Sequence, residues 1–477
     1  MSTVTTTPTP DPGIPGAADE PADDILRTRL AELLPGRVAS PEDAAAHAHD
    51  TSDGTPAGRP FALVYPASVA DVQAAVRFAA AHRLPIVPQG ALSGLTGASN
   101  ALDRSILINL SHYHRIVSID DVDQTATVQA GVIVGDLSRA VREHGLTYPP
   151  DPASLNLSTI GGNLATNAGG MACVKYGVTK DFVRQLTVVL ASGEAVTLGH
   201  RTVKGVSGLD LASLFVGSEG TLGVICEAVV ALRPLPGAPV GISALFDDER
   251  DAFAAAAGLR ASRHIPSTLE YLDGPTIQAI RRFDPAAGLP ERAGAMLLVQ
   301  ADDYEAEDAA LAEYRQILSD AGAVRIDVAR DAEQLDRLMY ARRLLHDALQ
   351  AVEGASLNED VSVPLSRLPD LFAGLRDLST ELGVPIYVGG HIGDGNVHPV
   401  LCYAPGDAGA EAVARRGYRR VIQLAISLGG VASGEHGIGQ LKLDVVEEEL
   451  GADVRALQRT VKAALDPLGI LNPGRKY

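Results

Sequence analysis

The chain has 477 residues, a formal net charge of −19 and three cysteines. That length can bury the cores of two or three domains. Cys173, Cys226 and Cys402 form no CxxC pair, which argues against a disulfide framework or a Cys-rich zinc site and fits a reducing compartment. An acidic chain with no basic run argues against nucleic acid as a partner, and no apolar stretch is long enough to span a membrane.

Residues 1–24 are rich in Thr, Pro, Ala and Asp, with no Lys or Arg, and read as a disordered tail rather than a targeting signal. Organised sequence begins near Ile25. Ser68-Val69-Ala70-Asp71 predicts a capped helix to about His82, with Val72, Ala75, Val76 and Ala79 on one face. Strands are predicted at Leu84–Pro88, Ile106–Leu110 and Thr125–Gln129, and a helix at about Gly135–His144. A hairpin is predicted around Ser192-Gly193. The shift at Arg233-Pro234-Leu235-Pro236-Gly237 marks a boundary between a first domain, 25–235, and a second, 236–425. In the second, strands near 242–246, 268–272, 295–300 and 323–328 alternate with helices near 249–261, 304–320 and 331–350, which predicts a compact α+β domain. A strand at Pro385–Val388 leads into a His-rich loop. Helices near 409–428, 442–450 and 453–465 close the chain, the last two within a C-terminal segment, 426–477.

Two glycine-rich segments carry the first functional signal. Gln89-Gly90-Ala91-Leu92-Ser93-Gly94-Leu95-Thr96-Gly97 can turn several backbone N–H groups toward one anion, or it can be only a turn. It has neither the GxGxxG spacing nor a P-loop ending. Asp151 to Gly170, written in small and amide side chains, permits close approach to a flat ligand; the bland alternative is a tightly turned surface loop. A third stretch, Val216 to Ile225, has the same character and ends in a strand.

In this order and spacing the three stretches resemble the flavin domain of the vanillyl-alcohol-oxidase superfamily, with its PCMH-type FAD-binding domain. The similarity is to the branch holding the glycolate oxidase flavin subunit, D-lactate dehydrogenase and D-2-hydroxyglutarate dehydrogenase. It runs from about Arg59 to Leu471-Asn472-Pro473-Gly474-Arg475. The resemblance implies an α+β fold: two α+β subdomains around FAD, a ferredoxin-like α+β cap, and C-terminal helices returning to the FAD site. It implies that Gly90, Ser93, Gly94, Leu95 and Thr96 hold the phosphates. Gln89, Ala91, Pro150, Ser154, Thr159, Gly162, Asn163, Thr166, Gly169, Gly170, Glu219, Val224, Ile225 and Asn472 would line the rest. The family often has Arg where this chain has Gln89. Members with covalent flavin carry a His in this loop, so non-covalent FAD is expected here.

Gly389-Gly390-His391-Ile392-Gly393-Asp394-Gly395-Asn396-Val397-His398 sets two imidazoles seven residues apart; Ser433-Gly434-Glu435-His436 sets a carboxylate beside a third. Two His and one Glu can form a divalent-metal site, and either His can equally be structural. The resemblance implies a divalent metal, with zinc expected, on His391, His398 and Glu435, and His436 as the base. Arg342 matches the family's cap-domain Arg for the substrate carboxylate; taken alone, Arg342 or Arg343 is a solvated helix charge. The family's dicarboxylate enzymes place a Lys at the position of Asn358, so a monocarboxylate is favoured.

The implied activity is oxidation of a small D-2-hydroxy acid, with hydride to flavin and electrons to an unidentified quinone, cytochrome or electron-transfer protein. Within the family, the alternatives are a flavin subunit of a multi-subunit glycolate oxidase and D-2-hydroxyglutarate dehydrogenase. Outside it stand a non-redox FAD-dependent ether-lipid synthase, whose His-rich signature differs, and a non-catalytic flavin-binding scaffold. A cytoplasmic place is expected, with peripheral membrane contact and a homodimer left open.

Overall fold

The computed structural model describes residues 23–477. The expected tail, 1–24, lies outside that range apart from Asp23 and Asp24, which open the helix Asp23–Leu33. Acidic residues in a first turn suit the positive end of the helix dipole, so the helix starts just before Ile25.

The helix predicted from Ser68 is Val69–His82, and the Ser68 hydroxyl accepts from the Asp71 N–H. Val72, Ala75, Val76 and Ala79 are fully buried against a three-stranded parallel sheet. Its order is Ala62–Val64, Ile106–Asn109, Ile86–Gln89. Parallel strands need a crossover, and this helix supplies the one between Ala62–Val64 and Ile86–Gln89. The carboxyl end of Ile86–Gln89 then delivers the first glycine-rich segment. A five-stranded antiparallel sheet follows, in the order Ile116–Asp120, Thr125–Gln129, Val224–Ala231, Val183–Val189, Ala195–Gly199. The last two form the predicted hairpin, with Gly193 at φ +78°.

In the second half, Val240–Phe246, Thr268–Asp273, Ala295–Ala301 and Arg325–Ala329 pair antiparallel in the spatial order fourth, first, third, second. With the helices Glu249–Arg260 and Glu307–Asp320 this is the ferredoxin-like arrangement. The sheet then goes further than the sequence reading. Ile386–His391 joins Thr268–Asp273, and Asn396–Tyr403 and Ala355–Asn358 extend it, with Val361–Ser362 pairing Asn396–Tyr403. The predicted His-rich loop is therefore a β-hairpin. Gly395 and Pro399 read as loop signals, yet the Gly395 turn joins two paired strands, and Pro399 still offers its carbonyl to the Glu359 N–H. The helix predicted at 331–350 is two, Ala332–Arg343 and Leu345–Glu353. The last two predicted helices lie within Val446–Leu465, parted at Gly451, whose φ +75° and ψ 164° are not helical. The chain end returns to the first sheet: Leu471 bridges Ile86, and Ile470 and Leu471 join its core.

Candidate active site

The three glycine-rich stretches meet along one cleft of about 310 Å³, within the range of ligand pockets. Its walls include Gly90, Ala91, Ser93, Gly94 and Leu95 from the first, and Ser154, Thr159, Gly162, Asn163, Thr166 and Gly169 from the second. Gln89, Glu219 and Ile225 also line it. The second stretch holds a seven-residue helix, Ile160–Thr166, whose cap is Thr159 Oγ1 accepting from the Gly162 N–H at 3.2 Å. Glycine is needed at two close approaches. A Cβ on Gly161 would stand 2.7 Å from the Ala130 Cβ, and one on Gly90 would meet Thr159 Oγ1.

Ser158 Oγ and Asn163 Nδ2 are buried at this cleft without a hydrogen-bond partner among the described residues. Buried polar groups are costly to leave unpaired. A ligand rich in hydroxyl, phosphate and carbonyl oxygens satisfies both, so the lining fits FAD. Other expected cofactor residues have different work. Gln89 Nε2 donates to the carbonyls of His47 and Ser99, both at 2.9 Å, so its amide nitrogen ties the loop to neighbouring backbone. Thr96, Pro150, Gly170, Val224 and Asn472 do not line the cleft. The Thr96 carbonyl accepts from the N–H groups of Gln440 and Leu441. Asn472 Nδ2 donates to the carbonyls of Ala98 and Glu219, tying the first stretch to the third. Val224 is core, Pro150 is buried, and Gly170 packs on Asp151.

Glu435 and His436 stand in the wall of the same cleft. The hairpin explains the seven-residue spacing of the other two imidazoles. His391 pairs Asn396 and Gly389 pairs His398, so both rings project from one face as diagonal neighbours, with centroids 5.3 Å apart. Glu435 Oε1 lies 3.6 Å from His391 Nε2 and 3.5 Å from the Nε2 atoms of His398 and His436. Metal ligands at about 2.1 Å in tetrahedral array stand about 3.4 Å apart. The His391/His398/Glu435 separations therefore fit a divalent cation.

Two residues that the sequence reading missed organise this cluster. Glu270, in the strand beside His391, accepts from His391 Nδ1 at 2.5 Å and from Arg342 Nε at 2.7 Å, and is fully buried. A carboxylate on Nδ1 turns the Nε2 lone pair toward a metal. Asp360 Oδ2 accepts from Ser433 Oγ and the N–H groups of Glu435 and His436. Asp360 also groups with His398 and His436, but its oxygens are already filled, which disfavours it as a metal ligand. Glu270 stands in no sequence motif; Asp360 lies in the strand motif Asn358 to Pro364 that the resemblance sets near the site, but its partners are distant in the chain.

Burial pushes His398 down to about 3, which keeps it neutral. Burial also works against the protons of His391 and His436. Glu270 outweighs it for His391, and Asp360 with Glu435 for His436, so both lie above the usual imidazole value. For Glu435, burial favours the acid form, but His391 and His436 hold the carboxylate below its usual range.

Both halves of the chain are similar to known proteins. Residues 60–199 match the FAD binding domain, and residues 236–475 the C-terminal domain of FAD linked oxidases. Glycolate oxidase subunit GlcD of Bacillus subtilis is 36% identical, over 89% of this chain and 91% of that protein. D-lactate dehydrogenase of Anaerostipes hadrus is 33% identical over 87% and 89%. D-2-hydroxyglutarate dehydrogenase of Xanthomonas citri pv. viticola is 33% identical over 88% and 89%. Among solved structures, substrate-bound p-cresol methylhydroxylase aligns with a TM-score of 0.79 over 96% of this chain and 97% of that one, at 17% identity. An alkyldihydroxyacetonephosphate synthase gives 0.72 over 97% and 87%, at 20% identity. At such identities the likeness speaks of the fold, which is the PCMH-type α+β fold. Both halves of the sequence, the unpaired groups in the cleft and these relatives lead to one assignment: the chain belongs to the FAD-linked oxidoreductases of the D-lactate, glycolate and D-2-hydroxyglutarate family.

Proposed function

We propose that this enzyme oxidises a small D-2-hydroxy acid, D-lactate or a similar monocarboxylate, to the 2-oxo acid. The reading rests on the convergence of His391, His398 and His436 on Glu435 at the wall of the cofactor cleft. FAD, held non-covalently in the cleft, supplies the hydride acceptor. A divalent cation, zinc by its donor set, would be held by His391, His398 and Glu435 and supplies a Lewis acid for the substrate's hydroxyl and carboxylate oxygens.

The chain's own residues do the rest. His436 Nε2 takes the hydroxyl proton, and Asp360, 3.9 Å from its Nδ1, favours the imidazolium that results. Arg342, with Nε fixed by Glu270, turns its remaining guanidinium nitrogens to the substrate carboxylate. Asn358 is exposed and neutral and offers no cation to a second carboxylate, which supports a monocarboxylate.

The GlcD relatives support a second reading, in which the chain is the flavin subunit of a glycolate oxidase and passes electrons to partner subunits. In both readings a quinone, cytochrome or electron-transfer protein takes the electrons. Three free cysteines support a cytoplasmic place, and among the described residues no helix is long and apolar enough to cross a membrane.

Turnover with a dye acceptor over D- and L-2-hydroxy acids, in wild type and His436→Asn, tests the reading. The variant should stay loaded with FAD and lose roughly 100-fold or more in kcat. Unchanged turnover removes His436 as the base.

A further inference from the structure

The segment from Ser433 to Gly439 carries Glu435 and His436 but forms no helix or strand. Its position must come from its neighbours. Five successive N–H groups are all spoken for. Those of Glu435 and His436 donate to Asp360 Oδ2 at 3.0 and 2.9 Å, and that of Gly437 to Ser433 Oγ at 2.9 Å. Those of Ile438 and Gly439 donate to Glu219 Oε1 and Oε2 at 2.8 and 2.7 Å. Two protein carboxylates thus hold four of the five, and the Ser433 hydroxyl holds the fifth.

The two acids come from opposite sides. Asp360 belongs to the cap, and its Oδ1 accepts from Asn396 Nδ2 at 2.7 Å, on the strand that carries His398. Glu219 belongs to the third glycine-rich stretch and stands in the wall of the cofactor cleft. Its backbone is held at φ +53°, with its N–H on the Ala165 carbonyl and its own carbonyl accepting from Asn472. Both side chains are buried, so each bond is charge-assisted and shielded from water. Lys442 adds to the cap side: its Nζ donates to the carbonyls of Asp360 and Ala432 and pairs with Glu359. Gly437 and Gly439 have positive φ, and a Cβ on Gly437 would lie 2.9 Å from Glu219 Oε1.

We propose that Asp360 and Glu219 act as a two-point carboxylate clamp that sets Glu435 and His436 in register with both the cofactor cleft and the His391/His398 hairpin. They are positioning residues for turnover, and this rests on the function proposed above. A displacement of about 1 Å at a reacting group can cost about 100-fold in rate.

The test compares Asp360→Asn with Asp360→Ala in the FAD-loaded enzyme. Asn keeps an oxygen for the N–H groups of the segment, while it loses the charge beside His436 and sets its own amide against Asn396 Nδ2, which stays on the Val361 carbonyl. The expected loss in kcat is within about 10-fold for Asn and about 100-fold for Ala, with KM changed less than about threefold in both. Equal losses, or an Ala variant within about threefold of wild type, overturn the clamp. Hydrogen exchange in Glu219→Gln gives a reading that needs neither substrate nor Asp360→Ala. The Gln amide opposes one N–H, so exchange at Ile438 or Gly439 should rise at least about tenfold, and unchanged exchange overturns the clamp. A wild type that oxidises no hydroxy acid would end the proposed function and leave this exchange result standing.

Discussion

Glu270→Gln removes one charge from the centre of the site and leaves its shape. Glu270 is fully buried, with one oxygen on His391 Nδ1 and the other on Arg342 Nε. Burial favours its acid form, but His391 and Arg342 outweigh that and keep it ionised. Glutamine has one oxygen for these two donors. If that oxygen faces His391, the Gln amide opposes the Arg342 Nε–H and leaves a largely buried donor unpaired, at a cost of about 1–3 kcal/mol. If it faces Arg342, the amide NH2 faces His391 Nδ1 and draws the imidazole proton to Nε2, the atom that should bind metal. The second arrangement costs less, so the protein should fold and bind metal badly. Loss of such a supporting carboxylate weakens metal binding by about 10–100-fold, or about 1.4–2.7 kcal/mol. A zinc titration against a chromophoric chelator measures this, with kcat/KM expected to fall in parallel. A zinc affinity within about twofold of wild type would refute the role given to Glu270.

His391→Ala should purify with FAD but with less than about a tenth of the wild-type metal, by elemental analysis. Gly90→Ala places a Cβ against Thr159 Oγ1, so the helix cap should be lost; the expected cost is about 1 kcal/mol in thermal unfolding, with a fall in bound FAD by absorbance. Lys442→Met should destabilise by about 3–5 kcal/mol, because it strands the Glu359 carboxylate, and Glu359→Leu added to it should recover most of that loss. Asp273 is pushed up to about 7 by burial. A raised carboxyl pKa gives stability that is full below the ordinary carboxylate value and lost as pH rises through about 7. Between pH 6 and 8 the wild type should therefore lose stability relative to Asp273→Asn; a gap that stays constant in denaturant titrations contradicts that protonation.

The parts legible in the sequence were those written locally. The Ser68 cap, the Ser192-Gly193 turn and the three glycine-rich stretches are short patterns whose physics lies within a few residues, and the structure places them where they were read. Hidden were the features made by pairing. Asn396–Tyr403 reads as loop because Pro399 and the Gly395 turn interrupt it, and only its partners Ile386–His391 and Ala355–Asn358 make it a strand. Glu270 and Asp360 stand 121 and 76 residues from His391 and His436, and no local spacing reports such a contact. Gln89 and Asn472 stand in the right motifs, yet their amides serve backbone carbonyls. A motif can place a residue near a site without saying which way its side chain is used.

On the proposed function, this flavoenzyme takes electrons from a D-2-hydroxy acid. Anaerobic mixing of the purified, FAD-loaded protein with single D- and L-2-hydroxy acids tests it most directly, because flavin bleaching needs no electron acceptor. D-lactate or a similar D-monocarboxylate should bleach the flavin in wild type and fail to do so in His436→Asn. A flavin that no 2-hydroxy acid bleaches would rule out hydroxy-acid oxidation.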